Sequence, residues 1–166
     1  MVSLLLASYI AVRLHLRAAR QPPQETPLRI DSISGRDLSQ LLVRGSNGNL
    51  ISERMAGSRR VLYVFVTSCP ACQAQKAHLG RLLSSLPENQ VLTLSTEPLE
   101  LLSSYWANGR PKALSIPADQ LHRIGTAEVP TLISLDSNGI AIAAFVGSFS
   151  SWTEADLKEF SEGRIR

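Results

Sequence analysis

The spacing of apolar and polar positions predicts strands that alternate with helices through the middle of the chain. Residues 61–66 form an unbroken apolar run rich in β-branched and aromatic side chains, which indicates a strand buried on both faces. A helical pattern begins at Pro70 and ends before Pro87, a residue that cannot continue a helix. The side chains predicted to share one face of this helix are Ala74, Ala77, His78, Leu82 and Leu86.

Shorter elements follow in the same alternating order. Residues 91–95 predict a second buried strand, and a helix that opens on a proline is predicted over 98–109, where an Asn-Gly pair stops it. A third short strand is predicted at 113–116, and a short helix at 117–125. This order of elements is typical of a sheet that contains parallel strands.

Two Asn-Gly pairs with apolar runs on both sides predict β-hairpins. The first, Asn47-Gly48, lies between the runs at 41–43 and 50–51. The second joins predicted strands at 131–135 and 140–146. The sequence therefore predicts an antiparallel pair before the central elements and another after them.

A last amphipathic helix is predicted directly after Thr153. The threonine is a good N-cap, and Glu154 and Asp156 in the first turn favour a helix N-terminus. Together these elements predict an α/β fold in which helices flank a mixed central sheet that carries an extra N-terminal β-hairpin.

The N-terminal residues differ in character from the rest of the chain. Residues 1–20 begin with twelve apolar or small residues and end with a basic cluster, and we interpret them as a membrane anchor rather than a cleaved signal. Residues 21–29 contain three prolines and predict an extended linker. The folded domain is accordingly predicted over 30–166.

Composition and charge narrow the class of protein. The chain is 44% hydrophobic and 19% charged, which argues against global disorder. Its net charge of +3 is spread over scattered arginines and lysines. Because the charge is not gathered on one segment of the domain, we expect no nucleic-acid partner.

The two cysteines of the chain stand two residues apart in Cys69-Pro70-Ala71-Cys72, between the first buried strand and its helix. At a helix N-terminus, free backbone N–H groups and the helix dipole favour a thiolate on Cys69, and Cys72 lies one turn later. A structural disulfide that encloses two residues stabilises little, and a zinc site needs about four ligands. The position therefore favours a redox dithiol over a metal site, and we expect no cofactor.

With these residues the chain resembles the thioredoxin superfamily over about 40–162. The resemblance depends on the strand that enters the Cys69–Cys72 motif and on Val129-Pro130-Thr131, which opens the second hairpin. The first hairpin and the N-terminal anchor resemble membrane-tethered thiol–disulfide proteins of the TlpA/ResA type. The resemblance implies a thioredoxin-like fold, a cis Pro130, and a substrate site formed by Val129, Pro130, Pro70 and Ala71.

The chain also departs from that family near the dithiol. Ser68 stands where a tryptophan is common, Gln75 where many tethered reductases carry a glutamate, and Tyr63 where thioredoxins have a buried acid. A proton acceptor for Cys72 is therefore not evident from the sequence. Lys76 and His78 are candidates for it, although both suit the surface of the helix better.

The resemblance implies a thiol–disulfide oxidoreductase in which Cys69 attacks a protein disulfide and Cys72 resolves the mixed disulfide. The alternatives are a thioredoxin-like binding or assembly module without turnover and a Cu(I)-handling chaperone. The expected partners are disulfide- or dithiol-bearing proteins, membrane-bound or exported. Arginines 13, 17 and 20 favour a cytoplasmic domain, but the family favours the periplasmic side, and the latter is our prediction.

Overall fold

The computed structural model describes residues 26–106 and 111–165. The strands are β1 (Leu28–Arg29), β2 (Gln40–Arg44), β3 (Leu50–Arg54), β4 (Arg60–Val64), β5 (Val91–Ser95), β6 (Ala113–Ser115), β7 (Thr131–Leu135) and β8 (Ala141–Val146). The helices are α1 (Pro70–Ser84), α2 (Leu99–Ser103), α3 (Ala118–Ile124) and α4 (Glu154–Ser161). Short 3-10 turns lie at Asp31–Ile33 and Glu88–Gln90.

The strands of these residues form one sheet in the order β1-β8-β7-β4-β5-β6-β2-β3. Strands β4, β5 and β6 are parallel neighbours, and the other neighbouring pairs are antiparallel. The predicted mixed sheet flanked by helices is confirmed. The extra hairpin β2–β3 extends the sheet beyond β6, where Arg44 pairs with Ser115.

Strand β4 lies near the centre of the sheet and is buried on both faces, as its unbroken apolar run predicts. Because side chains alternate along a strand, Val61, Tyr63 and Phe65 enter the core beneath α1, whereas Leu62 and Val64 enter the core on the opposite face. The end of β4 that points to the cysteines is therefore held by packing on both sides.

The buried face of α1 differs from the predicted one, and that prediction is wrong. Ala74 and Ala77 are exposed, and of the predicted set only Leu82 is fully buried. Small alanines carry a weak apolar signal, and one buried position holds a polar residue that periodicity alone excludes. The residues that face the core are Cys72, Gln75, Leu79, Leu82 and Leu83.

The turn of the β7–β8 hairpin shows why a glycine stands at position 139. Gly139 has φ +83°, and a Cβ atom there would lie 2.5 Å from the Cα of Ser39. The Asp136 carboxylate accepts the N–H groups of Asn138 (2.8 Å) and Ile140 (2.9 Å). The hairpin turn thus packs closely on the chain that leads into β2.

The last helix begins as predicted. Thr153 caps α4 and forms a reciprocal capping box with Asp156, because each side chain accepts the backbone N–H of the other residue. Leu157 and Phe160 then pack into the core beneath α1.

The first strand of the sheet lies just before residue 30, where the folded domain was predicted to begin. Leu28 and Arg29, assigned to the linker by the sequence, form β1 and pair with Val146 and Phe145 of β8. A two-residue strand leaves no measurable periodicity, so the sequence could not reveal it. The predicted anchor lies outside the described residues. The helix predicted over 98–109 ends at Ser103, earlier than predicted, and residues 107–109 are not described. Within 26–106 and 111–165, no helix has the length and apolarity to span a membrane.

Candidate active site

Cys69 is the N-cap residue of α1. Its Sγ atom accepts the backbone N–H of Cys72 at 3.3 Å, and Pro70 occupies the first turn, where a missing N–H costs little. Negative charge on Cys69 would lie at the positive end of the helix dipole. Both cysteines are free thiols, with Cys69 half-buried and Cys72 fully buried.

The loop before β7 faces Cys69 from the other side. The Cys69 thiol points at the carbonyl oxygen of Val129 at 3.9 Å, and the Val129–Pro130 peptide bond is cis. Val129 is half-buried and Pro130 is buried, whereas Pro70 and Ala71 are exposed. The structure therefore brings residues 60 positions apart together around one partly accessible sulfur atom.

A carboxylate that the sequence analysis did not single out holds the loop before Cys69. Glu97 accepts the Thr67 N–H at 2.6 Å and the Thr67 hydroxyl at 2.8 Å. The side chain of Gln73 also donates to the Thr67 carbonyl. Parallel strands β4 and β5 bring the segments that follow them to the same edge of the sheet. Because Glu97 directly follows β5, this rule could have predicted from the sequence that Glu97 lies near Thr67.

An aromatic cluster lies behind Cys72. Tyr63 stacks on Phe65 with ring centroids 5.4 Å apart, and Tyr105 and Trp106 pack against Phe65 at 4.5 and 5.9 Å. The Tyr105 hydroxyl donates to the Cys72 carbonyl at 3.3 Å. Cys72 thus belongs to a buried cluster whose rings come from β4, from Phe65 directly after it and from the segment after α2.

This environment disfavours the charged form of Cys72. Burial, and then hydrogen bonding with Cys69, raise the pKa of the Cys72 thiol to about 12. Burial also raises the pKa values of Tyr63 and Tyr105 above the usual tyrosine range. All three groups are therefore protonated at neutral pH.

The remaining polar residues of α1 near the site have other partners. Gln75 is 4% exposed, and its amide donates to the Gly147 carbonyl and accepts the Phe149 N–H. The ring of His78 lies 3.0 Å from the Trp152 carbonyl. The Lys76 ammonium lies 4.5 Å from the centre of the Tyr105 ring. None of these contacts directs a base at the Cys72 sulfur.

The arrangement combines an accessible thiol at a helix N-terminus with a buried second thiol one turn later. Such a pair can attack a disulfide and then close on itself. Among residues 26–106 and 111–165, no three His, Cys, Asp or Glu side chains gather as a set of metal ligands.

Comparisons with known proteins define the fold. No protein-family profile matches the chain. No curated protein matches it either. Solved structures do match it, and the three described below are 14–20% identical to this chain.

A DsbF homologue from Corynebacterium diphtheriae is 18% identical, with a TM-score of 0.60 over 86% of this chain and 96% of that one. The exposed lipoprotein thioredoxin Etrx1 from Streptococcus pneumoniae is 14% identical, with a TM-score of 0.58 over 74% of this chain and 98% of that one. A thio-disulfide isomerase from Thermus thermophilus is 20% identical, with a TM-score of 0.56 over 76% and 92%. The predicted thioredoxin-like fold is thereby confirmed.

Proposed function

We propose that the protein is a thiol–disulfide oxidoreductase that acts on protein disulfides through Cys69 and Cys72. The observation that carries the proposal is the position of Cys69. Its half-buried sulfur accepts a backbone N–H at the start of α1 and faces the Val129 carbonyl. The name of the Thermus thermophilus protein, a thio-disulfide isomerase, supports the same chemistry for this fold.

The reaction proceeds in two exchanges. The Cys69 thiolate attacks one sulfur of the partner's disulfide, forms a mixed disulfide and expels the partner's other sulfur as a thiolate. The Cys72 thiolate then attacks Cys69, which releases the partner's remaining thiolate and leaves Cys69–Cys72 oxidised. The partner gains two electrons and the protein loses two. The reverse sequence oxidises a dithiol, and the reduction potential of the pair sets the direction.

The substrate segment binds beside the accessible sulfur. In this proposal it lies as an extended strand along Val129 and Pro130, with Pro70 and Ala71 forming the opposite wall. Support comes from the proximity of Cys69 to the Val129 carbonyl and from the exposure of Pro70 and Ala71. The partner is therefore a disulfide- or dithiol-bearing protein that presents a short extended segment.

Cysteine substitutions test the proposal. The reduced protein is mixed with a peptide that contains one disulfide, and peptide thiols are measured over time. We expect Cys69→Ser to abolish turnover and Cys72→Ser to accumulate the mixed disulfide, visible by mass spectrometry. Ser84→Ala, at the far end of α1, is the matched control and should react as the unaltered protein does. Normal turnover by Cys69→Ser would contradict the proposal, and a wild-type protein that never releases the peptide would favour a binding module.

We also propose that the domain works outside the cytoplasmic membrane, tethered by residues 1–20 through the proline-rich linker. Support comes from the apolar N-terminal sequence and from the similar fold of an exposed lipoprotein. Protease added to cells with a permeabilised outer membrane should digest the domain. Digestion only after lysis of the inner membrane would instead indicate the cytoplasmic side, as the basic cluster after the anchor predicts.

A further inference from the structure

Tyr63 carries a buried hydroxyl group without a hydrogen-bond partner. Its side chain is 0% exposed, and its Oη atom is among the few buried polar side-chain atoms of residues 26–106 and 111–165 that have no partner. A buried hydroxyl left unpaired is costly, so such atoms are rare in folded proteins. Its place in the centre of the sheet therefore calls for a reason beyond packing.

Tyr63 and Cys72 belong to the same buried cluster beneath α1, and each of them affects the pKa of the other. The hydroxyl and the thiol nevertheless form no hydrogen bond in the reduced protein. The neighbouring donors have other acceptors. The Tyr105 hydroxyl donates to the Cys72 carbonyl, and the Trp106 ring nitrogen donates to the Thr93 hydroxyl at 3.1 Å. The hydrogen of Tyr63 is thus the uncommitted donor in the cluster behind the second thiol.

We propose that Tyr63 is a positioning residue for the resolving exchange, because its hydroxyl donates a hydrogen bond to the Cys72 sulfur when that sulfur becomes a thiolate. The inference deepens the proposed function and depends on it. In this role, the Tyr63 hydroxyl stabilises the negative charge on Cys72, which the surrounding aromatic cluster otherwise disfavours.

The physical reason is the difference between a thiol and a thiolate as acceptors. A neutral thiol sulfur accepts weakly, so the Tyr63 hydroxyl gains little before the reaction. A hydrogen bond to an ionised acceptor is about twice as strong as a neutral one. The unpaired hydroxyl is therefore satisfied when Cys72 loses its proton, which lowers the barrier to the second exchange.

Tyr63 acts as a donor and not as the base. Burial holds the pKa of its hydroxyl above the usual range, so the group keeps its proton. The proton of Cys72 passes to water or hydroxide. The other titratable groups acting on Cys72 or on its tyrosine neighbours are Cys69, Tyr105, Glu97 and Lys76, and the Tyr63→Phe variant leaves all of them unchanged.

The two exchanges can be timed separately with dithiobis-nitrobenzoate, whose thiolate product is coloured. Attack by Cys69 releases the first coloured thiolate, and attack by Cys72 on the mixed disulfide releases the second. We expect Tyr63→Phe to leave the first phase unchanged and to slow the second about tenfold at neutral pH, the size expected for loss of a charge-assisted hydrogen bond. Tyr105→Phe removes the other phenol near Cys72 and should slow the second phase much less.

Each outcome decides the inference. A second phase in Tyr63→Phe within about twofold of the wild-type rate overturns it, since RT ln 2 is well below the energy of such a bond. If Tyr63→Phe and Tyr105→Phe slow the second phase equally, the inference is also overturned, because a general effect on packing would then explain both rates. A wild-type protein that lacks the second phase overturns the proposed function, and this inference with it.

A second measurement covers the case in which Tyr63→Phe does not fold. Fluorotyrosine is a more acidic phenol and a stronger donor, and it can replace tyrosine biosynthetically in a Tyr105→Phe background. The second phase should become faster in the substituted protein. An unchanged or slower second phase would overturn the inference.

Discussion

Two buried polar side chains, one on the N-terminal half of α1 and one on β4 beneath it, have opposite hydrogen-bonding states. Gln75 uses both ends of its amide, donating to the Gly147 carbonyl at 3.2 Å and accepting the Phe149 N–H at 2.8 Å. Tyr63, which belongs to the same buried cluster as Cys72, has an unpaired hydroxyl. Gln75 thus connects α1 to the segment after β8, whereas the Tyr63 hydroxyl forms no hydrogen bond in the reduced protein.

This difference distinguishes a buried polar group that stabilises the fold from one that can take part in the exchange reaction. A buried group whose partners are all backbone atoms stabilises one arrangement of the chain and gains nothing when a proton moves. A buried donor beside a titratable sulfur gains a partner only when the sulfur ionises. Substitutions at the two positions should therefore affect different measurements: folding stability for Gln75 and exchange rate for Tyr63.

The largest effect is expected from Gln75→Glu. The carboxylate can still accept the Phe149 N–H, but its other oxygen would face the Gly147 carbonyl without a donor. We expect the free energy of unfolding to fall by about 3 kcal/mol at neutral pH.

The loss should depend on pH. Burial raises the pKa of the introduced carboxyl above its unfolded value of about 4.3, so stability is retained below that value and lost as pH rises through the folded pKa. Denaturant unfolding at several pH values measures this, with Gln40→Glu on the exposed surface of β2 as the control. A loss below about 0.5 kcal/mol would mean that the two backbone bonds of Gln75 contribute little.

A second, smaller effect concerns Cys72 and alkaline pH. Its pKa rises from 9.0 in an exposed thiol to about 12 here, so the folded state favours the protonated form. The resulting stabilisation is present below about pH 9 and lost progressively as pH rises toward 12.

We expect the reduced protein to lose stability over that range more steeply than Cys72→Ser, which has no thiol to ionise. Tyr63 and Tyr105 titrate in both proteins, so the difference between the two curves reports the ionisation of Cys72 together with its effect on these two tyrosines. Parallel curves in denaturant unfolding would contradict the buried, protonated state of this thiol.

The smallest effect on stability is expected from Tyr63→Phe. It removes a hydroxyl that has no partner, and we expect the free energy of unfolding to change by less than about 0.5 kcal/mol or to rise slightly. Tyr105→Phe removes a hydroxyl that donates to the Cys72 carbonyl and should cost about 1 kcal/mol. Thermal unfolding of the two variants compares them directly. A larger loss in Tyr63→Phe would show that its hydroxyl is paired in the folded protein.

Much of the fold could be predicted because the signals are local. The unbroken apolar run predicts a strand at β4, and the observed strand ends at Val64, two residues before the run does. The capping pattern after Thr153 predicts the start of α4. The face of α1 could not be predicted, since burial of Gln75 depends on backbone groups 72 and 74 positions further along the chain.

The candidate site divides in the same way. The spacing of Cys69 and Cys72 and their position between a strand and a helix were evident from neighbouring residues. The contact between Glu97 and Thr67 spans 30 positions and exists because β4 and β5 are parallel. From the sequence, Tyr63 was notable only because it stands where thioredoxins have a buried acid. Its relation to Cys72 required the packing of β4 against α1.

By itself, the sequence determined the order of the elements from β2 onward, both hairpin turns and the dithiol at the start of α1. These features depend on side-chain periodicity, turn residues and helix caps, each encoded within a few neighbouring residues. Only the tertiary structure decided which buried polar atoms are paired. Gln75 meets two backbone groups and Tyr63 meets a thiol because distant segments pack at particular registers, and a one-dimensional pattern contains no information about the partner that a buried hydrogen-bonding group will find.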